Sequence, residues 1–197
     1  MNGLYNGILE GLVNGLYGGT NNGSANGTSD NSPPPPIRVI TDPQVLSFLA
    51  ATGITEPYIQ QAVNTYVLGL KNENIWNRIV NLFPFVGGNA TAHRVNLKSS
   101  GNFLGTAFFG GVTHDFYGIT TNGTTGYFNT TTIPNVHLTL NNESLFLYSR
   151  TQGQGNIDMG AAATVTQRDT LSIRNSGNNI IAEVNTAANP AAASNSN

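Results

Sequence analysis

Apolar positions along this chain fall into three successive rhythms, and each predicts a different backbone. Over residues 1–28 the period is four, with Gly3, Gly7, Gly11 and Gly15 each followed by an apolar pair, and Gly19, Gly23 and Gly27 carrying the period into polar sequence. Over 41–84 the spacing is helical. Thr41-Asp42-Pro43 supplies a capping side chain and a first-turn proline; Val45, Leu46, Phe48 and Leu49 form the stripe, and Gly53 is placed to end it. Thr55-Glu56-Pro57 opens a second helix, with Ile59, Ala62, Val63, Tyr66, Val67 and Leu70 on one face. Ile75, Trp76, Ile79, Val80 and Leu82 predict a third, ended by Pro84. Over 85–186 Gly and Asn turn signals recur about every 8–12 residues between short apolar or Thr-rich runs, the mark of many short strands. Val136 to Leu140 and Leu145 to Tyr148 alternate as strands do, and a β-sandwich or jelly roll is the expected architecture. Residues 187–197 are small and polar and read as a flexible tail.

The four-residue period admits two ordered readings. As a helix, each interior glycine would cost about 1 kcal/mol relative to alanine. As a repeated tight turn, Asn-Gly suits the positive φ such turns need. A low-complexity tail is the unordered alternative. The apolar pairs weigh against it, because exposed they would be a solubility liability. We therefore expect Gly3, Leu4, Tyr5, Gly7, Ile8, Leu9, Gly11, Leu12, Val13, Gly15, Leu16 and Tyr17 to dock against another chain. The polar tetrads and the Pro-rich spacer over 29–40, with four prolines from Pro33 to Pro36, would then hold the rest at a distance.

Composition narrows the partners. Only 9% of the 197 residues are charged and the net charge is −2, so there is no basic footprint for nucleic acid or an anionic membrane. Cysteine is absent, which removes disulfides and thiolate metal sites. No apolar run reaches the roughly 18 residues of a membrane helix, and membrane insertion is not expected. The first residues lack a basic stretch ahead of an unbroken apolar one, so a cleaved signal peptide is not expected either.

Catalytic chemistry finds little support. Asp115, Glu143, Asp158, Asp169 and Glu183 form no recognisable glycosidase pair. His93, His114 and His137 lack local ligand spacing, so a metal site would depend wholly on the fold, and neither metal nor cofactor is expected. No Gly-x-Ser-x-Gly elbow is present. Sugar binding is better supplied: Phe116, Tyr117, Tyr127 and Phe128 lie among amides and hydroxyls, and Tyr117, Asn122, Tyr127 and Asn129 are the candidate contacts. Trp76 is expected to be core.

The leader "NGLYNGILEGLVNGLYGG" resembles Gly-Asn tetrad leaders of structural proteins of tailed bacteriophages. "IWNRIVNLFPFVGGNATAHRVNLKSS", with Trp76, Phe83-Pro84-Phe85, Gly87-Gly88, His93 and Asn96-Leu97, is similar to the block that follows them. Thr113-His114, Asn122-Gly123, Gly126-Tyr127 and "LYSRT" continue the likeness. The resemblance implies a concanavalin A-like (jelly-roll) sandwich on a virion surface. It also implies other virion proteins as partners, homo-oligomers such as a trimer, and host glycan as ligand. Such a domain is expected to continue past Asn197, so the sandwich would be incomplete here or completed by another copy. The resulting expectation is a non-enzymatic virion fibre or decoration protein, with a ligand-free cement protein or a glycan-degrading enzyme as alternatives.

Overall fold

The computed structural model describes residues 39–98, 106–138, 143–150, 157–164, 167–173, 179–186 and 191–194. The tetrad segment and its docking residues, Gly3 to Tyr17, lie outside them. The protein is mainly β, with antiparallel sheets and a few helices. Residues group into two compact units: 1–108 with 113–120, and 109–112 with 121–197.

The first unit is built on two helices, α1 (Pro43–Thr52) and α2 (Pro57–Asn72). Asp42 caps α1, its Oδ1 accepting from the backbone N–H groups of Gln44 at 3.0 Å and Val45 at 3.3 Å. Gly53 ends it in the left-handed region (φ 69°), its N–H returning to the Leu49 carbonyl. Glu56 precedes α2 without a side-chain cap. The Gln60 side chain instead donates to the Ile54 carbonyl, closing the connection. Val45 and Phe48 from α1 meet Ile59, Val63, Val67 and Leu70 from α2, as the helical spacing requires.

The expected third helix does not form. Asn74 takes φ 58°, the Ile75 N–H reaches back to the Leu70 carbonyl, and only a single 3-10 turn, Trp76–Arg78, follows before Ile79 becomes extended. Asn72-Glu73-Asn74 is poor helix sequence, and asparagine tolerates the left-handed conformation that breaks the run. Side-chain amides then do the work of a ladder. Asn96 Oδ1 accepts from the Leu82 N–H at 2.9 Å while its Nδ2 donates to Asn81, and the Leu97 N–H donates to the Leu82 carbonyl. A short helix, α3 (Ala90–His93), capped by Asn89, brings Ala92 into the same core as Leu82 and Leu97. The helical body's core thus extends past Pro84 to Leu97, beyond the boundary expected from pattern.

Strands follow: β1 (Ala107–Phe109), β2 (Val112–Asp115), β3 (Gly118–Thr121) and β4 (Tyr127–Asn129), with β1 paired to β4 and β2 to β3. In the second unit β5 (Met159–Thr164), β6 (Gln167–Ser172), β7 (Asn179–Thr186) and β8 (Ala191–Ser194) form an antiparallel sheet in chain order. Leu171 faces Met159 on one side and Ala182 on the other. β8 lies inside the segment expected to be a flexible tail. There the small residues Ala191 to Ser194 find a ladder on β7, Ile180 facing Ala193.

Two alternating runs turn out differently from expectation. Ile133, Pro134 and His137 set a short helix, α4 (Pro134–His137), where the alternation from Val136 predicts a strand. Proline at the first helical position is pre-set for that turn, and the His137 ring accepts from the Ile133 N–H. Leu145 to Tyr148 keep the alternation in burial, leucines half-buried and aromatics exposed, without strand pairing.

Candidate functional site

The alternation of a strand sends successive side chains to opposite faces. On β4 this leaves Tyr127 and Asn129 on the exposed face and half-buries Phe128. On β1 it exposes Phe109. Phe109 and Tyr127 stack with ring centres 5.0 Å apart and planes within 17°, although 43% and 54% of their surfaces face solvent. A cross-strand aromatic pair of this kind stabilises a ribbon. Here it also leaves a flat, exposed apolar surface beside amides and hydroxyls.

One side chain shapes the neighbouring loop. Asn122 Oδ1 accepts from the N–H groups of Thr124 at 3.2 Å, Thr125 at 3.0 Å and Gly126 at 2.9 Å. Its Nδ2 donates to Thr125 Oγ1, and its own N–H donates to the Gly111 carbonyl at 2.8 Å. The chain closes because three positions carry no Cβ: one at Gly110 (φ 64°) would overlap the Thr125 carbonyl, one at Gly111 the Asn122 amide, and one at Gly126 the Gly111 carbonyl.

Of the four expected sugar contacts, Tyr127, Asn122 and Asn129 fall in the second unit and Tyr117 in the first. Tyr127 is 54% exposed on the outer face of β4. Asn122 is exposed too, and its amide is bonded to its own loop. Asn129 Oδ1 accepts from the Thr131 N–H at 2.8 Å, steadying the turn where Thr131 takes φ 56°. Tyr117, 61% exposed, sits at the β2–β3 tip, its N–H held by Asp115. Phe109 is the residue that pattern reading missed. Its signal was the Phe108-Phe109 pair before Gly-Gly, where one ring must face outward.

The histidines give a second cluster, within the first unit. His93 is fully buried, and its Nδ1 lies 3.0 Å from His114 Nδ1. Phe85 and Phe108 pack around the pair, Phe108 edge-on to His114 at 4.5 Å and Phe85 edge-on to His93 at 6.1 Å. His93 Nε2 is buried without a hydrogen-bond partner. Burial, reinforced by the neighbouring His114 and partly offset by Asp115, pushes the His93 pKa down to about 4. Among the described residues no group of three His, Asp or Glu is positioned to hold a metal. His137 is bonded to the backbone of its own helix start.

The carboxylates are mostly used in structure. Asp115 holds the Tyr117 N–H and Asp158 the Ile173 N–H. Glu143 and Asp169 come together. Burial raises the Glu143 pKa, and the charge of Asp169 and the hydrogen bond to it raise it further. Two carboxyl groups bonded to each other share a proton. Elsewhere, Trp76 is buried with two ammonium groups over its ring, Lys71 5.4 Å and Lys98 4.5 Å from the ring centre, with Lys98 also donating to the Trp76 carbonyl. Among the described residues no helix is long and apolar enough to cross a membrane. Compared with protein families, curated proteins and solved structures, the chain has no match in any of the three.

Proposed function

We propose that this chain is a non-enzymatic virion component. Its N-terminal tetrads dock to capsid or tail subunits, and its β region displays the Phe109–Tyr127 face to carbohydrate on a host surface. The observation that carries the ligand reading is the exposed parallel stack of Phe109 on Tyr127. Pyranose rings present flat C–H faces that aromatic platforms accept, while neighbouring amides and hydroxyls serve their hydroxyl groups. The low charge of the chain suits a neutral polymer. We further propose that β5–β8 form one layer of a concanavalin A-like, jelly-roll sandwich. The antiparallel pairing of the four strands supports this. Many copies on one particle would turn weak single-site binding into strong attachment, with homo-oligomers such as trimers as the unit of display.

A glycan-degrading enzyme is the weaker reading. Retaining glycosidases hold their carboxyl groups about 5 Å apart and inverting ones farther. Glu143 and Asp169 are instead in direct hydrogen bond, with no room for a sugar between them.

Glycan-array binding of the full chain tests the proposal. Phe109→Ala and Tyr127→Ala are each expected to weaken binding about tenfold, in line with a stacking contribution of about 1–1.5 kcal/mol, and to lower thermal stability modestly through the lost cross-strand pair, about 1 kcal/mol. A wild-type chain that binds no glycan would leave a cement role in its place. Absence of the chain from purified particles would overturn the virion assignment.

A further inference from the structure

We propose that His93 and His114 form an acid-sensitive latch that ties the β2–β3 hairpin to the helical body and opens when the second of the two rings becomes a cation. The basis is geometric. The ring centres are 5.2 Å apart, close to the 3.0 Å N···N gap plus the two ring radii, so the two Nδ1 atoms point at each other. That is the arrangement of a linear hydrogen bond, in which one proton lies between two lone pairs. Nitrogens sharing a metal would instead converge on a point to one side.

Counting protons shows where the latch holds and where it fails. With both rings neutral there is one N–H in each, and one of them bridges the gap. A further proton on His114, the more accessible ring, leaves the bridge intact: His114 donates from Nδ1 and His93 accepts, carrying its own N–H on Nε2. Only when His93 also becomes a cation are there two N–H groups facing each other across 3.0 Å, and the bond turns into a repulsion. His93 resists that step. It is fully buried, with Nε2 unpartnered, and its pKa is pushed down to about 4.

The groups acting on His93 are few. His114 and Asp115 both come from the hairpin. From the segment before α3 and from β1 only phenyl rings press on the pair, Phe85 and Phe108. Arg94, next on its own element, is exposed. The hairpin also meets the body through rings: Phe108 packs edge-on to His114, and the Phe116 ring lies about where a side chain on Gly88 would sit. Loss of the His93–His114 bond therefore removes the one bond in the hairpin's attachment, among the described residues, that an added proton can turn into a repulsion.

Amide hydrogen exchange of the full chain from about pH 7 to about pH 4 tests the latch, with α1 and α2 followed in parallel through their own amides. Protection of Thr113–Thr120, corrected for intrinsic exchange, is expected to fall about a hundredfold across that range while the helices stay protected. In His114→Gln the neutral amide can donate to a neutral His93 or accept from a charged one, so the loss should disappear. Asp115→Asn keeps the bond to the Tyr117 N–H but removes the carboxylate favouring the His93 cation, so the midpoint should move to lower pH. The latch is overturned if the hairpin stays protected to about pH 4, if it opens only together with the helices, or if His114→Gln opens as the wild type does.

Discussion

Asp42 shows how much one residue can be asked to do. Its carboxylate caps α1 through two backbone N–H groups and also pairs with Lys71 at the far end of α2, while its side chain is only 8% exposed. Burial alone would raise its pKa, yet the bonds from Lys71, Val45 and Gln44 outweigh that and hold it below the usual carboxylate value. A carboxyl depressed in the folded state adds stability that is present above its unfolded pKa and is lost as pH falls through the folded one. Asp42→Ala is expected to cost about 2 kcal/mol at neutral pH in urea unfolding, the sum of a lost cap and a part-buried pair. The cost should shrink as pH falls through the depressed folded pKa of Asp42, where the wild-type carboxyl becomes neutral as well. This residue was legible from sequence as a cap, because Thr-Asp-Pro before an apolar stripe has one local explanation. Its second partner, 29 residues away, had no local signal.

At the scale of elements, legibility tracked how local the cause was. α1 and α2 followed from caps, prolines and spacing. The helix expected from Ile75 failed at Asn74, whose backbone enters the left-handed region just where the apolar spacing would have continued. Alternation gave the faces of Leu145 to Tyr148 but not their pairing, since pairing depends on which strand comes alongside. The candidate face was half legible for the same reason. Tyr127 announced itself in a Thr- and Asn-rich run, whereas Phe109 joins it only through the pairing of β1 with β4. The turn between β1 and β2 is the element with least tolerance. Gly110→Ala puts a Cβ against the Thr125 carbonyl at a positive φ, and is expected to destabilise by about 2 kcal/mol or more. A urea-unfolding midpoint for that variant equal to the wild type's would contradict this.

Across the whole molecule, two groups set opposing pH trends. His93, a base with a depressed pKa, leaves the folded state short of a proton relative to the unfolded chain between about 6.5 and about 4. Stability is therefore complete above about pH 6.5 and declines as pH falls toward 4. Glu143, an acid with a raised pKa, works the other way: its contribution is present below the unfolded value and lost as pH rises through the folded one. Glu143→Gln should relieve that loss, since an amide bonds Asp169 without giving up a proton. An increase of up to about 1 kcal/mol at neutral pH is expected, shrinking toward zero in acid. Thermal melts of variant and wild type at several pH values check both the size and the direction.

The loop closed by Asn122 carries one last implication, for inheritance. Its form rests on a single amide and on glycines, while the rings beside it add a stacking contribution across β1 and β4 and not the hydrogen bonds that shape the loop. Shape and taste are written in different letters. On the proposed carbohydrate reading, substitutions at Phe109, Thr124 or Tyr127 would alter what the surface prefers while the hydrogen bonds and glycines that shape the loop stay in place. A lineage under pressure to change ligand would then have those positions to explore one mutation at a time.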